Sequence, residues 1–320
     1  MLPSPSDVLA AGHRLRGITE RTPLVRSAAL SVRAGADVRL KCENLQRTGS
    51  FKLRGATNAL AALTDGQRVR GVVASSAGNH GLGVAHAARA LGVRARIFIP
   101  ATAPDVKRRG IIALGAEVDD GYPDYDAAHQ AAERFAADHG MTFVNPCAGA
   151  ALLAGQGTVA LEIIEELPTV RTFVVPVGGG GLVGGMAALI RAVLPAARII
   201  GVQSEATNAM AASLAAGARV DVEVVPTLAD GLAGQIDDEG FAIGRVAIDT
   251  MVTVRESEIA EAMRWLAHEH DLRVEGSGAV AAAALLHGQV AELTGAAVVV
   301  ISGGNVDDAR WRAIAAPPAS

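Results

Sequence analysis

The chain has 320 residues, half of them hydrophobic, and its 29 basic and 33 acidic side chains give a formal net charge of −4. This balance excludes a strongly basic nucleic-acid-binding protein, and the apolar content excludes a disordered chain, so we expect a soluble globular protein of about two domains. Only 3% of the residues are aromatic, whereas 36 are glycine. Such a composition indicates close packing, or close approach of the backbone to a ligand.

The two cysteines and the absence of long apolar runs indicate the cellular compartment of the protein. Cys42 and Cys147 lack the paired spacing of a metal or redox motif, so each is predicted to be a buried thiol. The sequence contains neither a signal-peptide pattern nor a stretch of about 18 uncharged apolar residues. We therefore predict a cytoplasmic protein.

Short β-branched runs alternate along the chain with alanine-rich amphipathic stretches. Several runs are apolar throughout, which is typical of strands covered by helices on both faces, so the predicted class is α/β with mostly parallel strands. The predicted strands are residues 38–41, 71–74, 95–99, 173–177, 199–202 and 298–301.

The segments between these runs carry helix signals. Residues 56–63 and 186–193 are predicted to be helical, and a helix through residues 87–91 is predicted to end at Gly92. Ser257 is predicted to cap another helix with Glu258 in its first turn. The buried face of that helix would hold Ile259, Ala262, Met263 and Leu266.

A glycine-rich segment at residues 174–185, VVPVGGGGLVGG, runs from a predicted strand into a helix. Consecutive glycines at such a turn let backbone N–H groups surround an anion, and the helix dipole favours negative charge there, so a phosphate is the expected ligand. Gly179, Gly181 and Gly184 also satisfy GxGxxG, with Glu205 beyond the next strand. An NAD-binding oxidoreductase therefore stays open on spacing alone.

Three further loops follow predicted strands. One places Lys52 at a helix start, where the positive end of the dipole favours the neutral, nucleophilic amine. Residues 74–81 offer hydroxyls, an amide and backbone N–H groups that can bind a carboxylate. The third places Ser302 at the carboxyl end of a strand, the edge at which open α/β sheets bind ligands.

Together these segments resemble the signature of the pyridoxal-phosphate enzymes of fold type II, which are tryptophan synthase β-like, and most closely the serine/threonine dehydratase and serine racemase branch. The matching stretches are SFKLRGA at 50–56, SAGNH at 76–80, AGQGT at 154–158, GGGG at 178–181 and SGGN at 302–305. The resemblance implies two three-layer α/β/α domains with mainly parallel sheets. Residues 1–65 and 149–320 would form a large cofactor-binding domain, and residues 66–148 a small substrate-loop domain.

The resemblance also implies the cofactor site. Lys52 would hold pyridoxal 5'-phosphate as its Schiff-base residue and exchange a proton at the substrate α-carbon. Asn79 would bind the phenolic oxygen of the cofactor, and Ser302 would face the pyridine nitrogen. The cofactor phosphate would lie at Gly178, Gly179, Gly180 and Gly181. Phe51, Leu182 and Glu275 complete the implied cofactor set, although Glu275 is equally explained as an acid at a helix N-terminus.

The substrate carboxylate is expected at the loop that follows the second predicted strand, formed by Ser76, Ala77, Gly78, Asn79 and His80. Racemases of this family carry at the position of Ala77 a serine that protonates the opposite face of the α-carbon. A methyl group cannot donate or accept that proton, which favours a dehydratase over a serine racemase.

The implied reaction is α,β-elimination of water from L-threonine, L-serine or both, giving 2-oxobutanoate or pyruvate plus ammonia. The sequence after Ala-Asp-Gly at 229–231 differs from typical threonine dehydratases, so phenylserine or a hydroxyectoine breakdown product fits the same motifs. Serine racemase is a further alternative. An NAD-binding oxidoreductase and a non-catalytic ligand sensor are alternatives of other classes.

A divalent cation is the remaining ligand to consider. Family members that bind one use a glutamate, a backbone carbonyl and an aspartate; Glu205 and Ala209 match the first two positions, but Ala211 replaces the aspartate. Because one carboxylate is lost, we predict no metal site. The family also implies a homodimer that acts on a small amino acid, with neither a nucleic acid nor a membrane as partner.

Overall fold

The computed structural model describes residues 2–290, 293 and 295–315. Its strands are β1 (Leu24–Arg26), β2 (Val38–Cys42), β3 (Val72–Ser75), β4 (Ala95–Pro100), β5 (Glu117–Tyr122), β6 (Thr142–Phe143), β7 (Val170–Pro176), β8 (Arg198–Ser204), β9 (Thr250–Val254) and β10 (Ala296–Ile301). Its helices are α1 (Pro5–Arg14), α2 (Ala28–Ala34), α3 (Lys52–Ala61), α4 (Asp65–Arg70), α5 (Asn79–Leu91), α6 (Asp105–Ala113), α7 (Tyr125–Asp138), α8 (Ala150–Glu166), α9 (Gly181–Val193), α10 (Ala209–Ala216), α11 (Asp238–Ala247), α12 (Glu256–His270), α13 (Gly276–Leu286) and α14 (Asp308–Ala315). None of these helices is long and apolar enough to span a bilayer.

The strands form two sheets. The larger has the order β1-β2-β10-β7-β8-β9, and every neighbouring pair is parallel except β1 with β2. The smaller has the order β5-β4-β3-β6 and is entirely parallel. The predicted α/β class with mostly parallel strands is confirmed. The strands of the smaller sheet lie inside the predicted segment 66–148, whose status as a separate domain stays a prediction.

Alternate residues of the central strands belong to different hydrophobic cores. In β10, Val298 and Val300 pack with α8 and α9, whereas Val299 and Ile301 pack with α12 and α13 on the opposite face. The smaller sheet repeats this pattern between its own two cores. Helices on both faces explain why these strands are apolar at every position.

All six predicted strands are present, with ends that differ by at most three residues. Four observed strands were not predicted. Strands β1 and β6 have only 3 and 2 residues, and β5 has the polar sequence EVDDGY, whereas β9 has the sequence TMVTV, whose β-branched residues are typical of a strand.

The predicted helix end at Gly92 is confirmed, because that glycine adopts the left-handed conformation at the end of α5. The predicted capping residue Ser257 is wrong. Helix α12 begins at Glu256 with Arg255 as its N-cap, and the Glu258 carboxylate accepts a hydrogen bond from the Arg255 backbone N–H at 2.8 Å. Glu258 thus fixes the start of the helix two residues earlier than predicted. The buried face is as predicted.

The AGQGT stretch lies in α8, where that helix crosses α3 and α9. A Cβ on Gly155 would lie 2.5 Å from the carbonyl oxygen of Arg54, and one on Gly157 would lie 2.6 Å from that of Gly185. Gln156 accepts a hydrogen bond from the backbone N–H of Gly55 at 3.2 Å. The motif therefore holds α3, whose first residue is Lys52, against the large sheet's helices.

Replacing Gly155 with alanine is expected to destabilise the protein by about 1–3 kcal/mol, because backbone atoms of α3 must move to admit the methyl group. The free energy of unfolding, obtained by titrating each variant with urea, measures this effect. Gly66→Ala in the exposed helix α4 is the control and is expected to be neutral or slightly stabilising, since its Cβ would contact only the end of the Arg70 side chain at 3.5 Å. Equal losses in the two variants would contradict the proposed helix crossing.

Candidate active site

The predicted loops converge at one edge of the large sheet. Strands β2, β10 and β7 are neighbours and parallel, so the loops that follow them begin side by side. They carry Lys52, Ser302 and the tetraglycine loop, residues 178–181. From the smaller sheet, β3 leads through residues 76–78 into α5, which begins with Asn79. The structure therefore brings together the four segments that the sequence singled out.

Backbone hydrogen bonds fasten the Lys52 loop to the Ser302 loop. The Phe51 N–H donates to the Ser302 carbonyl at 3.1 Å, and the Gly304 N–H donates to the Gly49 carbonyl at 2.8 Å. An antiparallel bridge joins Ser50 to Gly303 between them. Lys52 is thereby held at a fixed distance from the end of β10, with Phe51 half-buried beside it.

Lys52 is half-buried, and its Nζ donates to the Pro146 carbonyl at 2.8 Å and lies 3.9 Å from the Cys147 Sγ. The sequence contains only two other lysines. Lys41 is 1% exposed and paired with Glu162, and Lys107 lies on α6. Lys52 is therefore the one lysine that the converging loops carry.

The helices that follow three of these loops, α3, α5 and α9, begin without a side-chain cap. Within the described part of the chain α6, α8, α10 and α13 also lack one, whereas Ser, Thr or Asp caps α1, α2, α4, α7 and α11. The uncapped N–H groups and the positive ends of the helix dipoles remain available to a ligand. The site therefore favours an anionic ligand, as predicted from the glycine-rich turn.

The tetraglycine loop is closely surrounded. A Cβ on Gly179 would lie 2.9 Å from the Cys147 Sγ, and one on Gly178 would lie 3.3 Å from the Leu232 Cα. Gly180 has a φ of 92°, a left-handed conformation that favours glycine. Leu182, predicted to contact the cofactor, is 4% exposed and packs its side chain into the core.

In the predicted substrate loop, Ser76, Ala77, Gly78 and Asn79 are half-buried, and the Ser76 hydroxyl accepts a hydrogen bond from the Gly78 N–H at 3.1 Å. His80 differs from them. Its Nε2 donates to the Val144 carbonyl at 2.8 Å, and burial, followed by the nearby charge of Lys52, lowers the pKa of His80 to about 3. The neutral His80 ring thus holds the segment that precedes Pro146 and Cys147.

Glu275 and Ser302 lie on the large-sheet side. Ser302 is 3% exposed, and its hydroxyl is 3.4 Å from the Ser277 carbonyl. Glu275 is the N-cap residue of α13, yet its side chain accepts a hydrogen bond from Asn79 Nδ2 at 2.7 Å instead of capping the helix. Burial, reinforced by Asp230, raises the pKa of Glu275 to about 7, although Asn79 and Lys107 act in the opposite direction.

This carboxyl group makes stability depend on pH. The pKa of Glu275 rises from 4.5 in the unfolded chain to about 7 in the folded one. The contribution of this group to the free energy of unfolding is therefore complete below pH 4.5 and is lost as pH rises through 7. We expect the free energy of unfolding of the wild type to fall, relative to Glu275→Gln, by up to about 3 kcal/mol between pH 4.5 and 8.5. Urea titrations at a series of pH values measure the difference. Parallel curves for the two proteins would contradict the expectation.

The metal candidates do not form a cluster. Glu205 is exposed after β8, and Ala209 is the buried first residue of α10. Among the residues that the structure describes, no group of three His, Cys, Asp or Glu side chains is arranged to hold a metal ion.

Two features were not predicted. Cys147 was expected to be a buried thiol, but it is half-buried and lies beside Lys52 and Gly179, because the chain passes the tetraglycine loop as it enters α8. Arg54, two residues after Lys52, is 1% exposed and pairs with Glu43 and Glu162, the latter also pairing with Lys41. The arginine in SFKLRGA was the available signal for this buried cluster.

Comparisons with known proteins show the family to which the chain is similar. Residues 15–304 match the family model described as "Pyridoxal-phosphate dependent enzyme". A Thermotoga maritima protein named L-threonine ammonia-lyase is 45% identical over 303 residues, which cover 94% of this chain and 75% of the relative. Maize serine racemase superposes with a TM-score of 0.92 at 32% identity, covering 98% of this chain and 97% of the racemase.

A second solved structure, the processed form of threonine deaminase isoform 2 from Solanum lycopersicum, superposes with a TM-score of 0.89 at 33% identity. The match covers 97% of this chain and 90% of the deaminase. These likenesses confirm the predicted fold type, and the family model decides against the NAD-binding interpretation of the glycine run. The chain belongs to the family of pyridoxal-phosphate-dependent enzymes.

Proposed function

We propose that this protein is a dehydratase that eliminates water from L-threonine, L-serine or both, giving 2-oxobutanoate or pyruvate plus ammonia. The observation that carries the proposal is the position of Lys52, whose amine lies among loops from three neighbouring strands and beside uncapped helix starts. The relatives named L-threonine ammonia-lyase and threonine deaminase support the choice of reaction.

The residues present fit the family cofactor. The uncapped start of α9 and the glycines before it suit a phosphate, whose charge they meet with backbone N–H groups. Asn79 Nδ2 donates one hydrogen bond to Glu275 and, among the described residues, keeps its second N–H free for a phenolic oxygen. Ser302 offers a neutral hydroxyl to a pyridine nitrogen. When bound, pyridoxal phosphate supplies an electron sink that acidifies the α-proton of the substrate.

Lys52 has two tasks in this proposal. Its Nζ would hold the cofactor covalently, and the same amine would accept the α-proton of the substrate as a general base. The Pro146 carbonyl, which accepts a hydrogen bond from Nζ, fixes the direction of that amine. The substrate carboxylate is bound by the N–H groups at the start of α5, because this helix begins at Asn79 without a side-chain cap.

The direct test is a panel of L- and D-hydroxy amino acids, with formation of 2-oxo acid and ammonia as the readout. We expect L-threonine, L-serine or both to be the best substrates. Preference for phenylserine or a hydroxyectoine-derived amino acid would correct the substrate, and interconversion of serine enantiomers faster than elimination would favour a racemase. A coloured protein that releases no ammonia from any member would support the ligand-sensor alternative.

Ala77 separates the dehydratase from the racemase. It is half-buried in the loop before α5, and its methyl group cannot move a proton at the second face of the α-carbon. We expect Ala77→Ser to raise the rate of serine racemisation by at least about tenfold, which is less than the roughly 10²- to 10⁴-fold effect of a fully positioned general acid–base group. Chiral chromatography of serine recovered from the reaction measures it, and an unchanged rate would contradict this role.

We also propose a homodimer in the cytoplasm, as the family resemblance implies. Cys42 and Cys147 are both free thiols, which is usual for proteins of a reducing compartment. Light scattering of the purified protein tests the mass of the assembly, and cell fractionation tests the compartment.

A further inference from the structure

A chain of side-chain hydrogen bonds connects the two sheets at the site. Asn305 Nδ2 donates to the Thr48 carbonyl and to Asn79 Oδ1, both at 2.7 Å. Asn79 Nδ2 donates in turn to Glu275 Oε1, also at 2.7 Å. Asn79 lies on α5 beside the smaller sheet, whereas the other three residues lie on segments next to the larger one.

The groups at the two ends of this series fix the direction of its hydrogen bonds. A backbone carbonyl only accepts hydrogen bonds, so Thr48 requires Asn305 to present its amide nitrogen. That nitrogen also faces Asn79, which must therefore present its oxygen, and the Asn79 nitrogen is left to face Glu275. A carboxylate oxygen is an acceptor and suits this last position. The orientation of the Asn79 amide is thus determined from both sides.

Two glycines make room for these groups. A Cβ on Gly303 would lie 2.4 Å from Glu275 Oε1, and a Cβ on Gly49, whose φ is 74°, would lie 2.3 Å from Asn305 Oδ1. Glu275 is 7% exposed and does not cap its own helix, although it is the N-cap residue. The site therefore places this carboxyl group against Asn79 at the expense of a local helix cap.

We propose that Glu275 is a positioning residue for Asn79. Together, Glu275 and Asn305 keep the second N–H of the Asn79 amide directed to the phenolic oxygen of the cofactor. The proposal rests on the proposed role of Asn79. The charged groups near Glu275 are Asp230, in the 229–231 segment, and Lys107 on α6. These two act on Glu275 through their charge, whereas Asn79 and the backbone N–H of Asn305 donate hydrogen bonds to it, so a substitution that removes the acceptor breaks both of these bonds.

The test compares four variants of the cofactor-loaded protein without any substrate. Glu275→Leu removes the acceptor, and Asn305→Asp, which is nearly isosteric, replaces the donor that fixes the Asn79 oxygen. Glu275→Gln keeps an acceptor oxygen but no charge. Glu258→Gln is the matched control, since Glu258 is also a buried acid at a helix start but is bonded to Arg255. The readouts are the dissociation constant of pyridoxal phosphate and the pH titration of its visible absorption band.

We expect Glu275→Leu and Asn305→Asp each to weaken cofactor binding by about tenfold, the usual effect of one lost hydrogen bond, and to displace the titration of the band. Glu275→Gln and Glu258→Gln should stay within about twofold of the wild type. The proposal is overturned if Glu275→Leu and Asn305→Asp leave both readouts unaltered, or if Glu275→Gln is as damaging as Glu275→Leu. If Glu275→Leu does not fold, Glu275→Asp, whose shorter side chain withdraws the acceptor from Asn79, takes its place with the same expected result. Because no substrate is used, a wild type that eliminates nothing refutes the proposed reaction and leaves this test intact.

Discussion

Lys52→Ala is expected to lower the rate of 2-oxo acid formation by about 10³- to 10⁴-fold and to remove the visible absorption of the lysine-linked cofactor. The magnitude follows from the loss of the general base, and the spectral change from the loss of the covalent attachment. The variant should fold normally, since Lys52 is half-buried and donates a single hydrogen bond of normal length, to the Pro146 carbonyl. Steady-state kinetics and an absorption spectrum measure the two effects.

The small number of lysines provides a sharp control. Lys107→Ala removes a side chain on α6 and should keep the visible band and the attachment of the cofactor. Borohydride reduction followed by peptide mass spectrometry should find the cofactor on the peptide that contains Lys52. Recovery of the label on Lys107, or a full visible band in Lys52→Ala, would refute the assignment.

Arg54→Leu is expected to reduce the free energy of unfolding by about 3–5 kcal/mol, the usual cost of leaving a buried charge without its partner. Arg54 donates two hydrogen bonds at 2.8 Å to Glu43, which is 0% exposed, and two more to Glu162 at 2.7 and 2.9 Å. Burial acts to raise the pKa of Glu43, but the charge and hydrogen bonds of Arg54 outweigh it and keep that pKa below its usual value. Without Arg54, the buried carboxylate of Glu43 loses its ion-pair partner and keeps a hydrogen bond from the Thr22 hydroxyl.

An exposed ion pair is the matched control for this variant. Arg96 pairs with Glu117 at 2.6 Å, with side chains 33% and 48% exposed. Arg96→Leu should therefore change stability by no more than about 1 kcal/mol. Urea denaturation followed by tryptophan fluorescence measures both proteins, and similar losses would argue that burial is not what makes Arg54 important.

The loops of the site could be predicted because each is a local signal. Four consecutive glycines, or a lysine after a turn, are read from neighbouring residues, and parallel strands place the loops at one edge without further information. The resemblance added the identity of the cofactor and the order of the segments. Strand β5 was missed for the opposite reason, since the tertiary contacts that make it a strand leave no pattern in EVDDGY.

Contacts between residues far apart in sequence could not be predicted. Arg54 and Glu162 meet because α3 crosses α8, and Glu275 reaches Asn79 across 196 positions of the chain. Cys147 was judged from its spacing to Cys42, which carries no information about its distance to Lys52. Such contacts depend on how helices and loops pack, and a pattern of residue types does not encode that packing.

Because of the tetraglycine loop and the glycines beside Asn305 and Glu275, much of the surface of this site is main chain. A substitution at any of these glycines would add a Cβ where Leu232, Cys147 or a polar side chain already lies. Natural variation and directed evolution therefore have few positions at which to change substrate preference here. Cys147, half-buried beside Lys52, and Ala77, half-buried in the loop before α5, are the positions where a library would sample new chemistry at the least structural cost.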